Sequence, residues 1–595
     1  MLGQSFTLRS LAALSGEDEK TLVARLEPFV KASLLRIDTD PRSPERGQYQ
    51  FVQSLIREVA HARLTRNERR KRHMEVARYF EEREDPELAA AVASHYAAAL
   101  EASPQGPESE EISTRAAAAL LAAARRAADL HSHEQAISLS RQGVAISRDP
   151  GQKGRLLSIG AESAHSSLLL DEAEELSRGA IAAFQEAADE EGVLTASTAL
   201  ARLFTDARRG ASATEILEPL VSKERVDSPA SARAAAELCR AYMFLGRHQE
   251  VLELAEPALI VAERHNLIPT VAELLITRGT SLATLGRARE GLALLRSALD
   301  LAEANELSRS LKRAITNLSY FAVADDWRTV SVLGARGLEY ARRVGEPLWL
   351  SSALTDAHND AMERGNWEAA EEYLAELEVG RLSENDRILL DRLQAYRLIM
   401  IGELTEAKAR FDSILERSKD LAGEAIDLEL DLHYTPALIA LAEGRAEEAL
   451  AAALKIDDPT PNLSDVDLAL YCALYLQDLK AIDQAVALVD TKPYRGQRVD
   501  LIRTALEGGR QAILGDRARA AGLLQEAVGR AVDTCTSIQA AWLAALGARI
   551  LGIDTPVGRE LGSLAAELCE RHSLGIITNL VPDGLVTEHR PSITA

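Results

Sequence analysis

The sequence predicts an all-α chain, a solenoid of antiparallel helix pairs behind a small N-terminal head. Three observations carry that reading. Ala and Leu dominate, Glu and Arg are frequent, and aromatics make up only 4% of 595 residues, a mix that favours helix. The long β-branched and aromatic runs that strands prefer are missing. The length exceeds the ~100–200 residues of one ordinary domain, a limit that a stack of repeats escapes because each repeat packs only on its neighbours. Finally, a glycine between two apolar helical stretches recurs along the chain at a nearly constant interval.

The head comes first, over residues 1–83. Leu8 to Leu14 makes a short helix closed by Gly16. Asp18 or Glu17 caps a second helix with Leu22, Leu26, Phe29, Val30 and Leu34 on one face. Leu35-Arg36-Ile37 and Gln48-Tyr49-Gln50-Phe51 then read as two short strands around a polar loop from Asp38 to Gly47. Two strands around a loop, after helices, predict a winged-helix-like head. Residues 84–114 follow as a connecting helix and linker. About eleven helix pairs fill 115–575, and 576–595 form a tail.

The repeat turns are Leu245-Gly246-Arg247, Leu285-Gly286-Arg287, Arg364-Gly365-Asn366, Ile401-Gly402-Glu403, Glu443-Gly444-Arg445 and Leu514-Gly515-Asp516. Asp326-Trp327 and Asp478-Leu479 stand where two further turns belong. Weaker copies precede them, at Leu130–Val144 and Leu169–Ala180. A helix commonly ends in one left-handed residue, which glycine adopts without a Cβ penalty. Small residues prevail seven positions before the glycine (Cys239, Gly279, Ala395, Ala437, Gly508, with His358 the exception) and five after it (Gly291, Ala370, Ala407, Ala449, Ala520). Twelve after it the residue is small or aliphatic, as at Ala298 and Ala527. Such positions let two helices approach closely.

This register resembles the tetratricopeptide repeat, which is small at its eighth, twentieth and twenty-seventh positions; Gly279/Gly291/Ala298 and Gly508/Ala520/Ala527 match best. Trp327 and Trp367 supply the aromatic of the second helix. A second resemblance lies in the head. Leu2-Gly3-Gln4-Ser5-Phe6, Asp40-Pro41-Arg42-Ser43-Pro44-Glu45-Arg46-Gly47-Gln48-Tyr49 and Phe51-x-Gln53-x-Leu55-Ile56-Arg57-x-Val59-Ala60 are similar to the segment after the ATPase module of bacterial signal-transduction ATPases, often fused to adenylate/guanylate cyclase domains. Arg72-His73 and Ala93-Ser94-His95-Tyr96 continue it. The resemblance implies a winged helix joining an ATP-driven switch to a repeat arm that receives a signal. No GxxxxGK[ST] phosphate loop occurs in the chain, so ATP binding is not carried over and the implied partner is an ATPase module acting in trans.

Charge and motifs narrow the function classes. The net charge is −23, divided as +4 over residues 1–83 and −27 over the rest, so the long C-terminal part repels phosphate backbones. In the head, Arg57, Arg63, Arg66, Arg69, Arg70, Lys71 and Arg72 form a basic cluster diluted by Glu58 and Glu68. A DNA-binding transcription regulator is the alternative reading of that cluster. No Arg or Asn fork for base edges stands out, and a solvated face or a docking surface for an acidic partner is favoured. His131-Ser-His133 lacks a carboxylate or Cys at ligand spacing, and no metal or other cofactor is expected. GxSxG and HExxH are absent, which points to a non-enzyme. Cys239, Cys472, Cys535 and Cys569 are isolated, and the most apolar stretch, Ala437 to Leu454, is broken by Glu443, Arg445, Glu447 and Glu448. A cytoplasmic protein without a membrane segment is expected. Six residues before each turn, or near its equivalent, lie Arg240, Thr280, Ser319, Asn359 and Tyr396. If the first helix of each pair lines the inner wall, they form a polar ladder along the groove, where a protein or peptide ligand is expected; the alternative is ordinary solvent-facing polar residues.

Overall fold

The computed structural model describes residues 2–38, 47–103, 107–378, 384–418, 428–456, 463–492 and 494–582. The chain divides into two compact units, Met1–Gly246 and Arg247–Ala595.

The first unit opens with β1 (Ser5–Phe6), α1 (Leu8–Ser15), α2 (Glu19–Lys31), β2 (Leu35–Ile37), β3 (Tyr49–Phe51), α3 (Ser54–Ala62), α4 (Arg66–Glu81) and α5 (Ala89–Glu101). Local chemistry sets the boundaries. Thr7 caps α1, Asp18 caps α2, and Thr65 with Glu68 forms a reciprocal capping box on α4. Gly16 ends α1 at φ 72°. The strands form an antiparallel sheet in the order β1-β3-β2, with Phe6 opposite Tyr49 and Ile37 opposite Tyr49 on the other side. The third strand, β1, is only two residues long. Leu22 and Leu26 are buried as expected, but Phe29 and Leu34 are exposed, Leu34 lying beyond the end of α2 at Lys31. The loop residues 39–46, with Asp40 to Arg46 of the head motif, lie outside the described residues.

Helix pairs follow: α6 (Pro107–Asp129) with α7 (His133–Ile146), α8 (Pro150–Ser166) with α9 (Leu170–Glu186), and α10 (Glu190–Asp206) with α11 (Gly210–Leu217); α12 (Pro229–Phe244) closes the unit. The second unit begins with α13 (His248–Arg264). Its pairs are α14 (Ile268–Thr284) and α15 (Ala288–Ala304), α16 (Ser308–Ala322) and α17 (Trp327–Val344), α18 (Pro347–Glu363) and α19 (Trp367–Glu378), and α20 (Glu384–Ile401) and α21 (Leu404–Ser418). Then come α22 (Leu428–Ala442) and α23 (Ala446–Ala453), α24 (Ser464–Leu476) and α25 (Leu479–Thr491), α26 (Gln497–Ile513) and α27 (Arg517–Thr534), and α28 (Ser537–Leu551) and α29 (Pro556–His572), with α30 (Gly575–Thr578) last. The chain is thus an all-α array of tetratricopeptide-like helix pairs.

All six turn glycines are left-handed, with φ between 67° at Gly365 and 96° at Gly402. Asp326 and Asp478 cap α17 and α25 at the two turns without glycine. The small-residue register is a close backbone approach. A Cβ on Gly291 would meet the Gly279 carbonyl oxygen at 2.5 Å. At the exceptional position His358 is fully buried, and its Nδ1 lies 2.7 Å from the carbonyl of Ala370, the small residue of the facing helix.

Candidate functional site

The first helices of successive pairs crowd one another, α6–α8–α10–α12 in the first unit and α14–α16 and α18–α20–α22–α24–α26–α28 in the second; second helices do so to a comparable extent only at α27–α29. Crowding on one side curves a repeat stack toward that side. The first helices are therefore the inner wall of each unit, and the polar groups on them are the candidate site.

In the first unit this wall is an ion-pair ladder. Asp206 lies 3.5 Å from His165 of α8 and 2.6 Å from Arg240 of α12. Arg240 also pairs with Glu237 at 3.4 Å, and Glu237 accepts a hydrogen bond from Thr205. Burial raises the Glu162 carboxyl pKa, with Arg202 and Arg125 opposing the shift. Arg240, a predicted rung, is thus committed to its neighbours.

In the second unit the predicted rungs fare differently. Thr280 is buried, and its hydroxyl donates to the Ile276 carbonyl of its own helix at 2.8 Å. Ser319 places a buried Oγ without a hydrogen-bond partner. Asn359 and Tyr396 are half-buried. They sit beside carboxylates that sequence reasoning passed over. Glu363 is one turn from Asn359 on α18 and is the strongest charge felt by Tyr396, whose hydroxyl pKa is raised chiefly by burial. Burial pushes the Glu363 carboxyl up to about 7, and Glu363 makes no hydrogen bond or ion pair among the described residues. Asp356 is solvent-exposed, yet flanking protein pushes its carboxyl up to about 6. Helical spacing places 356, 359, 360 and 363 on one side of α18, a pattern visible in the sequence only once the inward face is known.

Deeper in the same unit lies a buried polar knot. Arg498 donates to Asp467 at 2.7 Å and to the Val323 carbonyl at 2.7 Å, and Gln539 donates to the same Asp467 oxygen at 2.7 Å. Lys492 and Asp465 pair alongside at 2.6 Å, both almost wholly buried. Tyr471 stacks on Trp542 with ring centroids 5.0 Å apart. Contacts distant in sequence fold the unit back on itself. Gln497 N–H donates to Asp325, and Trp367 Nε1 donates to the His572 carbonyl at 2.7 Å.

Several members of the basic cluster of the head are engaged by neighbouring protein groups. Arg66 reaches the Glu101 carbonyl of α5 at 2.9 Å, and Arg69 buries its Nε. Arg70 bonds Asn67, Arg72 pairs with Glu75 at 3.4 Å, and Arg63 and Lys71 are exposed. Arg57 is half-buried on α3. Between α3, α4 and α5 runs a chain of imidazoles, with His61 Nε2 3.4 Å from His73 Nε2 and His73 Nδ1 2.9 Å from His95 Nδ1. Desolvation lowers His73 and His95 to about 4, with the neighbouring imidazole adding to the effect at His73. The rings of His131 and His133 meet edge-on at the α6–α7 turn, and no group of three metal-ligating side chains occurs among the described residues.

No protein-family model matches the chain, and no curated protein does. Solved structures similar to it include a Rap protein complexed with competence and sporulation factor, at 12% identity and TM-score 0.39, covering 60% of this chain and 98% of that one. A signal-transduction ATPase with numerous domains and a tetratricopeptide repeat sensor, from Pyrococcus horikoshii, matches at 12% identity and TM-score 0.31, covering 63% of this chain and 60% of that one. Naa15/Naa10 bound to HypK matches at 13% identity and TM-score 0.20, covering 86% and 83%. No helix among the described residues is long and apolar enough to cross a membrane.

Proposed function

We propose that this chain is a non-catalytic, cytoplasmic repeat scaffold that binds a protein or peptide along the inner wall of its first helices. The observation that carries the reading is the α18–α20 stretch of that wall. There Asp356, Asn359, Glu363 and Tyr396 are polar groups on the inner side, and half-buried Glu363 makes no hydrogen bond or ion pair among the described residues. Polar groups that are desolvated and unpaired gain most from an incoming donor. We further read the chain as the sensor arm of a signalling ATPase or cyclase-type regulator, with residues 1–83 as its winged-helix-like head and an ATPase module as partner in trans. The head motifs support that reading. Pull-down with the wild type and with Asn359→Ala and Tyr396→Phe tests the binding surface; partner recovery should fall in both variants, and undiminished recovery contradicts the assignment. The engagement of Arg66, Arg70 and Arg72 by neighbouring protein groups disfavours DNA binding through the head. A gel shift showing salt-dependent retention of a duplex would reverse that view.

A further inference from the structure

A second concavity lies on another side of the second unit, a cleft of about 550 Å³ between α19, α20 and α21. Asp391 and Tyr396 are five residues apart on α20, which at 3.6 residues per turn places them on roughly opposite sides of that helix. The cleft is therefore not part of the inner wall proposed above. Its size falls in the range of small-molecule sites.

Its chemistry is unusual for so acidic a chain. Arg387, Arg410 and Arg417 face two carboxylates, Asp391 and Glu378. Asp391 is shared: Arg410 Nη1 is 3.0 Å from one of its oxygens and Arg417 Nη1 is 2.5 Å from the other. One carboxylate thus holds two guanidiniums side by side. All three of these side chains line the cleft and stay about one-third exposed. Arg387 lines the same cleft without an ion pair among the described residues. Guanidinium presents a planar fork that matches a carboxylate, and preorganised forks lose less entropy on binding. Leu374 and Leu390 supply the apolar part of the lining.

We propose that this cleft binds a small organic carboxylate carrying an aliphatic group. The acid seats on the Arg410 and Arg417 forks, Arg387 adds the third cation, and the aliphatic part lies on Leu374 and Leu390. Asp391 both positions the forks and competes for them.

Calorimetric titration of the full chain with N-acetyl-leucine, N-acetyl-leucinamide and inorganic phosphate tests this. N-acetyl-leucine should bind with a Kd on the order of 1 mM or tighter, and the uncharged amide and phosphate should each bind at least roughly tenfold more weakly. Arg410→Gln and Arg417→Gln should each lose about tenfold, with Lys at either position recovering part of it. Asp391→Asn should bind the acid more tightly, which a purely structural carboxylate would not do. A thermal melt of each variant verifies folding. No heat from N-acetyl-leucine, equal binding of acid and amide, phosphate binding as well as the acid, or weaker binding by Asp391→Asn would each overturn the assignment.

Discussion

Single residues bear the strain at the helix turns. Besides the six glycines, His131, Leu168, Arg208 and Gln477 occupy the left-handed region at turns within pairs, and Ala188, Asn266 and Glu306 do so between pairs. The left-handed conformation costs an L-residue about 1–2 kcal/mol, a cost glycine escapes. Gly286→Ala, at φ 82°, should lower stability by about 1 kcal/mol, whereas Leu168→Gly, at φ 60° and mostly exposed, should raise it by about 0.5–1 kcal/mol in chemical denaturation. The glycine turns were legible in the sequence because glycine marks its own conformation; Leu168 and Arg208 were not, because nothing in a leucine or arginine advertises a positive φ. The imidazole chain was equally hidden, since His61, His73 and His95 meet only once three helices are packed. Their titration gives a further prediction. The folded pKa values of His73 and His95, about 4, lie below the ordinary 6.5, so the unfolded chain binds more protons between those pH values. The stability these residues contribute is full above pH ~6.5 and falls as pH drops toward 4, by of order 1 kcal/mol each once water screening of these half-buried rings is allowed for. Urea melts at several pH values should show the slope, and His73→Phe with His95→Phe should flatten it.

At the scale of the element, helix contact is set by what a Cβ would strike. Gly291 in α15 has the Gly279 carbonyl in the way, and Gly291→Ala should cost about 2–3 kcal/mol. Gly522 in α27 has nothing within 4 Å and an ordinary helical backbone, so Gly522→Ala should instead stabilise by about 0.5–1 kcal/mol. The same substitution thus changes sign between two second helices, readable from paired thermal melts. The repeat register exposed Gly279 and Gly291 in the sequence because small residues recur there. The β1 strand gave no such signal, as two residues are too few for alternation. His358 broke the register for a reason only the fold supplies, its ring meeting the backbone of the facing helix at Ala370.

For the whole molecule, the second unit is tied together by contacts some 170 to 200 residues apart in sequence, which leave no periodic trace. Arg498 joins the C-terminal end of α16, through the carbonyl of the capping residue Val323, to Asp467 of α24. Arg498→Met would leave Asp467 as an uncompensated buried charge and should cost about 3–5 kcal/mol, seen as a large fall in the melting temperature. The predicted ladder shows the same limit on sequence reasoning. Its five residues were chosen by spacing alone, but Thr280 turned to its own backbone and Arg240 to Asp206. Ser319 buries its Oγ, and Asn359 and Tyr396 lie half-buried beside carboxylates that helical spacing alone could not single out. The most direct measurement of the central claim is site-specific photo-crosslinking in extract from the source cells. A photoreactive side chain would replace Asn359 on the inner wall or, separately, the exposed Val332 on second helix α17. A discrete crosslinked protein or peptide is expected from position 359 and none from 332; equal labelling from both, or labelling from 332 alone, would refute binding along the inner wall.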